Sequence, residues 1–174
     1  MIVINLFAGP GCGKSTLASY IFYLLKKDGY NAELVTEYAK ELTWEENFDK
    51  LSDQLYVTSK QNRKLSRLKN KVDIVVTDSP LLLGIHYATP EYIGGHFEPM
   101  VYSLFESYNN FNIFLERVKP YHKVGRTQTE DEARNIDKSI NKILDDHYYK
   151  YITTEGSSEG IDKIYKDIVS LLEE

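Results

Sequence analysis

The segment at residues 8–16 constrains this chain more than any other. It reads Ala-Gly-Pro-Gly-Cys-Gly-Lys-Ser-Thr and directly follows a short apolar run, Ile2–Phe7. Glycines at this spacing let backbone N–H groups turn inward around phosphate oxygens, and a helix that begins there adds the partial positive charge of its N-terminus. The pattern is that of a phosphate-binding loop, with Ala8 in place of the usual first glycine. It predicts a strand, a loop and a helix that bind a nucleoside triphosphate, for which we expect ATP.

The last residues of this loop carry side chains suited to phosphates and to magnesium. Lys14 can reach the β- and γ-phosphates, and the hydroxyl of Ser15 is a typical ligand of Mg²⁺. Ala8 requires only that its backbone avoid positive φ, which is a mild constraint. We assign the following residues to nucleotide binding: Gly9, Pro10, Gly11, Cys12, Gly13, Lys14, Ser15 and Thr16.

Strand and helix patterns alternate along the chain. Apolar runs that end at turn residues predict strands at 2–7, 32–36, 72–77, 111–115 and 148–153. Capping-box patterns at 43–46 and 129–132 each predict the start of a helix. Such alternation predicts a three-layer α/β fold of the P-loop type, a parallel sheet with helices on both faces. A length of 174 residues favours a single domain over 1–174.

Asp78 directly follows the apolar strand predicted at 72–77. A carboxylate at this position can hold magnesium through water, as a Walker B aspartate does, or accept the proton of an attacking hydroxyl. No second acid follows it, whereas motor-type ATPases usually carry one there to activate water. The pattern therefore favours transfer to an acceptor over hydrolysis.

Four cations follow the fourth predicted strand, in a stretch broken by a proline and a glycine. They are Arg117, Lys119, Lys123 and Arg126. A mobile lid can bring cations to the equatorial oxygens of a moving phosphoryl group while it excludes water. We therefore predict a lid at about 117–128, with Arg117 and Arg126 neutralising the transition state.

Two segments are candidates for binding the acceptor, at about 37–67 and 79–110. The second contains six aromatic residues and no lysine or arginine, which suits a flat, uncharged ring better than a phosphate. The first overlaps a basic run at 60–71, in which Arg63 and Arg67 share a helix face, as do Gln54 and Gln61. This run is either a solvated face or a grip on an acceptor phosphate or a DNA backbone.

With these motifs in place, the chain resembles the nicotinamide riboside kinase-like P-loop proteins common in bacteriophages, and nucleoside and nucleotide kinases more generally. The resemblance rests on residues 9–16, 36–41, 77–80 and 125–128. It implies a five-stranded sheet in the order 2-3-1-4-5 and adenine bound near Gly156 and Ser157. It also points to Glu37, at the carboxyl end of the second strand, where open α/β sheets place ligands. Whether Asp78 or Glu37 acts as the base stays open.

Composition narrows the classes of protein that this chain can belong to. The net charge is −5, which does not favour long contacts with nucleic acid, and the single cysteine excludes an internal disulfide. No apolar run is long enough to span a membrane, so we expect a cytoplasmic protein without a membrane partner. The four histidines lack metal-ligand spacing. The sequence leaves open whether the protein forms a homodimer.

These patterns predict an ATP- and Mg²⁺-dependent kinase that transfers the γ-phosphate to a hydroxyl of a nucleoside- or nucleotide-like small molecule. One alternative is a kinase acting on a hydroxymethylated pyrimidine within phage DNA, which residues 60–71 would contact. The other is a nucleotide-switched binding protein or slow ATPase built on the same fold.

Overall fold

The computed structural model describes residues 1–118, 121 and 129–170. Within this part, five parallel strands form one sheet in the order β2-β3-β1-β4-β5. The strands are β1 Ile2–Phe7, β2 Ala32–Val35, β3 Ile74–Thr77, β4 Asn109–Glu116 and β5 Ile152–Glu155. The parallel sheet and its strand order are thereby confirmed.

Helices connect the strands and cover the sheet. The helices of the described part are α1 Lys14–Lys27, α2 Tyr38–Trp44, α3 Phe48–Ser52, α4 Gln54–Ser66, α5 Leu83–Tyr87, α6 Phe97–Glu106, α7 Glu130–Asp146 and α8 Ser158–Ser170. A 3₁₀ turn at Tyr92–Gly95 precedes α6.

Two apolar cores lie on opposite faces of the sheet, as three layers require. On one face, α1 and α8 contribute residues at helical spacing, including Leu17, Ile21, Leu25, Ile161, Ile164 and Ile168. On the other face, α6 and α7 contribute Val101, Phe105, Ile136, Ile140 and Leu144. The regular spacing of these side chains explains why α1 and α7 form where the sequence predicts them.

The register of the sheet brings several loops to one edge. Strand β1 is central and pairs with β3, where Asn5 lies opposite Thr77, and with β4, where Phe7 lies opposite Phe114. Strand β2 pairs with the outer side of β3, with Val35 opposite Thr77. Because all strands are parallel, the segments that follow β1, β2 and β3 emerge together at the carboxyl edge.

Of the two expected capping boxes, one is confirmed and one is wrong. Thr129 caps α7, since its hydroxyl accepts from the Glu132 backbone N–H (3.3 Å) and the Glu132 carboxylate accepts from the Thr129 N–H (2.6 Å). Thr43 instead lies in the last turn of α2 and donates to the Ala39 carbonyl (3.0 Å). A threonine hydroxyl can bond the carbonyl four residues back as readily as it caps, so the local pattern was ambiguous.

The fifth strand begins later than the sequence predicts. Tyr148 adopts φ 54° and is 92% exposed, and the Tyr149 N–H donates back to the Leu144 carbonyl (3.0 Å). These residues therefore end α7 in a tight turn, and pairing with β4 starts only at Ile152.

Candidate functional site

The glycine-rich loop connects the central strand β1 to α1. Gly11 and Gly13 have φ of 79° and 96°, in the left-handed region that favours glycine. Gly13 stands at the N-cap of α1 without a side-chain cap, so backbone N–H groups of the first helical turn remain available to an anion. The local geometry is that of an anion-binding loop at a helix N-terminus.

Lys14 lies under this loop and is held by its backbone. Its Nζ donates to the carbonyl oxygens of Ala8 (2.7 Å) and Gly9 (3.1 Å). Burial lowers the pKa of Lys14 from its usual value, while the carboxylates of Glu37 and Asp78 oppose that shift. Burial conversely raises the pKa of Glu37, with Lys14 opposing it. The structure thus brings Lys14, Glu37 and Asp78 together at the carboxyl edge of the sheet.

Asp78 is 3% exposed, and its Oδ1 has no hydrogen-bond partner within residues 1–118, 121 and 129–170. An unpaired buried carboxylate oxygen is costly unless a ligand uses it. Ser15 is an exposed residue in the first turn of α1. Oxygen donors of this kind fit Mg²⁺, which is usually bound by one or two side chains together with substrate phosphates. The described residues contain no cluster of three or more His, Cys, Asp or Glu that could form a complete protein cage.

Asp137, on α7, is a site residue that the sequence analysis missed. Its Oδ1 accepts from the Gly9 backbone N–H (2.5 Å), and its Oδ2 accepts from Nε (3.2 Å) and Nη2 (2.9 Å) of Arg117. The Arg117 Nη1 donates to the Pro10 carbonyl (2.9 Å). A signal was present, because Asp137 shares a helix face with the buried Ala133, four residues earlier, where a solvated aspartate is unexpected.

This contact also explains why position 9 is glycine. A Cβ added at Gly9 would stand 2.6 Å from the Ala133 carbonyl oxygen and 2.8 Å from Asp137 Oδ1. The loop therefore lies directly against α7, and Arg117 lies against the loop with its charge paired to Asp137.

The segment after β5 packs onto the same loop from the other side. The Gly156 N–H donates to the Glu116 carbonyl (2.8 Å), and a Cβ at Gly156 would stand 2.8 Å from the Cys12 carbonyl oxygen. Ser157 is half-buried, and its hydroxyl accepts from the Gly160 N–H near the start of α8 (3.1 Å). The buried Cys12 thiol donates to the Leu115 carbonyl (3.3 Å), and burial raises its pKa. Cys12 is thus a packing residue of the loop.

Part of the predicted lid lies outside the described residues. Arg126 belongs to that part, as do Lys119 and Lys123. Thr16, the last residue of the nucleotide-binding motif, is exposed on the first turn of α1.

The six aromatic residues of 79–110 divide between core and surface. Three of them, Phe97, Phe105 and Tyr108, are buried in the core formed by α6 and α7. Tyr87 is 49% exposed, yet the protein around its hydroxyl, together with the charge of Glu37, raises its pKa to about 12. Tyr87 therefore lies within electrostatic reach of the proposed catalytic carboxylate.

The basic run at 60–71 is partly engaged within the protein. Lys64 forms an ion pair with Glu41, Lys60 lies 5.3 Å from the Tyr56 ring centroid, and Lys69 lies 4.2 Å from that of Tyr108. Arg63 and Arg67 are exposed. They lie on the side of α4 away from its buried residues, so they do not line the edge that carries Glu37.

The strand order and the anion-binding loop define the chain as a protein with the α/β P-loop fold. A family model described as "AAA domain" matches residues 3–160, and the chain belongs to that family. No curated protein sequence matches the chain.

Solved structures that share the fold include the following two. A crystal structure of a NadR protein in complex with NR superposes with a TM-score of 0.72 at 17% identity, over 94% of this chain and 50% of that one. The chain thus spans about half the length of that NadR protein. Thymidylate kinase from Ehrlichia chaffeensis superposes with a TM-score of 0.65 at 15% identity, over 98% of both chains. Among the described helices, none has the length and apolar character needed to cross a membrane.

Proposed function

We propose that this protein is an ATP-dependent kinase that transfers the γ-phosphate to a hydroxyl of a nucleoside-like acceptor. The observation that carries the proposal is the juxtaposition of Lys14, Glu37 and Asp78 at the mouth of an anion-binding loop, where both carboxylates lie within electrostatic reach of the Lys14 ammonium. A cation for the donor phosphates and carboxylates for the acceptor are what phosphoryl transfer needs. The fold shared with thymidylate kinase and with a NadR protein bound to NR supports this assignment.

On the donor side, backbone N–H groups of the loop and the Lys14 ammonium hold the phosphates, and the segment of Gly156 and Ser157 receives the adenine. Ser15 and Asp78 would hold Mg²⁺, which would supply charge neutralisation to the phosphates of the donor when bound. We assign to Arg117 and Arg126 the neutralisation of charge on the equatorial oxygens in the transition state. The pairing of Arg117 with Asp137 fixes that guanidinium beside the loop before substrate arrives.

On the acceptor side, Glu37 or Asp78 accepts the proton of the attacking hydroxyl. The hydroxyl oxygen forms a bond to the γ-phosphorus, the bond from that phosphorus to the β–γ bridging oxygen breaks, and ADP leaves. Glu37 suits the role of base because burial raises its pKa toward the operating pH. Asp78 has a carboxylate oxygen without a hydrogen-bond partner among the described residues, and this oxygen would serve either magnesium or the acceptor.

The acceptor segments at 37–67 and 79–110, within a single domain over 1–174, complete the proposal. We favour an uncharged acceptor, because Arg63 and Arg67 lie on the other side of α4 and 79–110 contains no lysine or arginine. Besides Lys14, the cations near Glu37 include Lys40 and Lys64, and Lys64 is already paired with Glu41. We place the protein with the bacteriophage-type, cytoplasmic kinases. The exposed pair Arg63 and Arg67 carries the alternative, a kinase acting on a base within DNA.

A labelled-ATP screen over nucleosides, nucleotides and oligonucleotides with hydroxymethylated bases tests the proposal. We expect label in a free nucleoside, and ATP turnover that rises sharply when that acceptor is added. ATP turnover that is indifferent to every acceptor would instead indicate an ATPase or a switch. Label confined to oligonucleotides, and lost when Arg63 and Arg67 are both changed to glutamate, would establish the DNA alternative.

A further inference from the structure

One face of α4 is buried and yet polar over most of its length. Gln54, Thr58, Gln61 and Leu65 recur at helical spacing and are 8%, 3%, 4% and 1% exposed. Such a face is normally apolar, but only its last member, Leu65, is part of the apolar core in the described structure. The buried side-chain amide nitrogen of Gln54 has a hydrogen-bond partner, since Nε2 donates to the Leu51 carbonyl (3.0 Å).

The next two residues leave a hydrogen-bonding group unused. Gln61 Oε1 accepts from the Tyr38 backbone N–H (2.9 Å). Because an N–H can only donate, this contact identifies the oxygen end of the amide, and the other end must be the NH₂ group. That Nε2 and the Thr58 hydroxyl are both buried without a partner among the described residues. Spaced three apart on a helix, the two groups are neighbours on one face.

These groups lie beside the proposed acceptor edge. Gln61 is hydrogen-bonded to the backbone of Tyr38, the residue that follows Glu37. Gly84 of α5 covers Thr58 so closely that a Cβ added at Gly84 would stand 2.7 Å from Thr58 Oγ1. On its other side, α5 borders a cleft of about 400 Å³ lined by Ile85, among others. Entry of a ligand to the buried groups requires the five-residue α5 to move toward this cleft, with loss of the hydrogen bond between His86 Nδ1 and Ser139 Oγ (2.9 Å).

We propose that Thr58 and Gln61 recognise a carbonyl oxygen on the ring of the acceptor, so that the substrate class is a nucleoside with an oxo-pyrimidine or oxo-purine base. This inference rests on the proposed function. Gln61 presents N–H donors, Thr58 can add a second donor, and a carbonyl oxygen offers two lone pairs to receive them. A ring amino group at the same position presents only hydrogens, so it leaves Gln61 unpaired and is rejected.

Isosteric removal of the Thr58 hydroxyl separates a ligand-binding role from a structural one. In Thr58→Val an unpaired buried hydroxyl becomes a methyl group, so we expect the Tm to rise by about 2–4 °C. We expect the affinity for the oxo-nucleoside to fall about tenfold. Thr58→Ser keeps the hydroxyl and should keep the affinity. A lower Tm with unchanged affinity in Thr58→Val would overturn the inference.

The polarity of the site can be inverted at Gln61. In Gln61→Glu, one carboxylate oxygen still accepts from the Tyr38 N–H, while the other becomes an acceptor that prefers an amino group. The pairs to compare are uridine with cytidine and inosine with adenosine, by calorimetric binding to the full chain. We expect the wild type to prefer the oxo member of the bound pair at least about tenfold, and Gln61→Glu to lose or reverse that preference. If Gln61→Glu does not fold, the affinities of Thr58→Val and Thr58→Ser for the oxo-nucleoside decide whether the recognition site exists.

Binding and transfer, measured separately, distinguish the two proposals. A clear oxo preference in binding without any phosphate transfer would retain the recognition site and reject the kinase. Equal transfer to oxo- and amino-nucleosides would retain the kinase and reject the recognition site.

Discussion

Replacing Asp137 by asparagine should destabilise the protein well beyond the loss of a surface ion pair. The Arg117 side chain is 5% exposed and its counter-ion Asp137 is 18% exposed, with a shortest N–O distance of 2.9 Å. Asparagine can still accept from the Gly9 N–H through its oxygen. Its NH₂ group would then face the N–H groups of Arg117, and the guanidinium would lose the carboxylate that balances its charge.

The expected cost follows from the burial of the pair. Breaking a fully buried ion pair costs about 3–5 kcal/mol, because the remaining charge stays desolvated. Water reaches part of Asp137, and Arg117 keeps its bond to the Pro10 carbonyl, so we expect about 2–3 kcal/mol. For a domain of this size that loss lowers the Tm by about 4–12 °C.

The same helix supplies a matched control. Arg134 and Glu130 form an i,i+4 ion pair at 2.8 Å, but their side chains are 55% and 47% exposed. Arg134→Gln should therefore cost no more than about 0.5 kcal/mol. Urea unfolding, monitored by far-UV circular dichroism at low and at high salt, compares the free energies of unfolding of the two variants. High salt should reduce the small loss of unfolding free energy caused by Arg134→Gln and leave the loss caused by Asp137→Asn largely unchanged.

A double-mutant cycle completes the test. Arg117→Met combined with Asp137→Leu should be less destabilised than the sum of the single variants, because the pair of apolar side chains leaves no unpaired charge. If Asp137→Asn costs no more than Arg134→Gln, or if the two single effects simply add, the buried ion pair does not brace the loop.

Four further predictions address the donor loop, the lid, the acceptor edge and the packing of the nucleotide site. Lys14→Ala should cut transfer at least on the order of 100-fold with an unchanged circular dichroism spectrum, and near-normal activity of the folded variant would contradict the assignment. Arg126→Ala should lower kcat more than it raises the KM for ATP, whereas a change in KM alone would make Arg126 a ground-state anchor. Burial raises the pKa of Glu37 above its usual 4.5, so kcat/KM for the acceptor should rise with pH through that raised pKa, and Glu37→Gln should remove this limb. The effect of pH on stability has the opposite sign, because the folded state favours protonated Glu37. The free energy of unfolding of the wild type should therefore fall relative to that of Glu37→Gln as the pH rises from 4.5 through the raised pKa. Urea midpoints of the two proteins would measure this difference. Gly156→Ala should cost about 1–3 kcal/mol by urea unfolding, because its Cβ would stand 2.8 Å from two carbonyl oxygens, and a neutral result would mean that the loop can retreat.

The sheet and the glycine-rich loop could be predicted because their determinants are local. An apolar run, positive-φ glycines and a helix start lie within residues 2–16, and α7 is preceded by its own capping box. Asp137 could not be placed in the same way, since it bonds Gly9 across 128 residues of sequence. Contacts of that span depend on how α7 packs on the sheet, which no short pattern encodes.

The region from α2 to α6 shows the same limit. Sequence spacing places Gln54 and Gln61 on one face of a helix, but the burial of that face depends on the position of Gly84 in α5. The aromatic content of 79–110 predicts rings near an acceptor, yet half of those rings, Phe105 among them, pack into the core. Composition identifies the residue types of such a region, while tertiary packing decides which of them meet a ligand.

The two halves of the candidate site differ in how they are built, and this bears on how such a protein acquires its acceptor. The donor loop is attached to the central strand, to the fourteen-residue α1 and, through Arg117 and Asp137, to the seventeen-residue α7. The acceptor edge is carried by α2 and α5, of seven and five residues, and by the polar face of α4. A rigid donor side keeps the phosphates in one position, since transfer tolerates little misplacement. If this edge binds the acceptor as proposed, substitutions at Thr58, Gln61 and Gly84 should therefore change which acceptor binds without altering the frame that holds the donor.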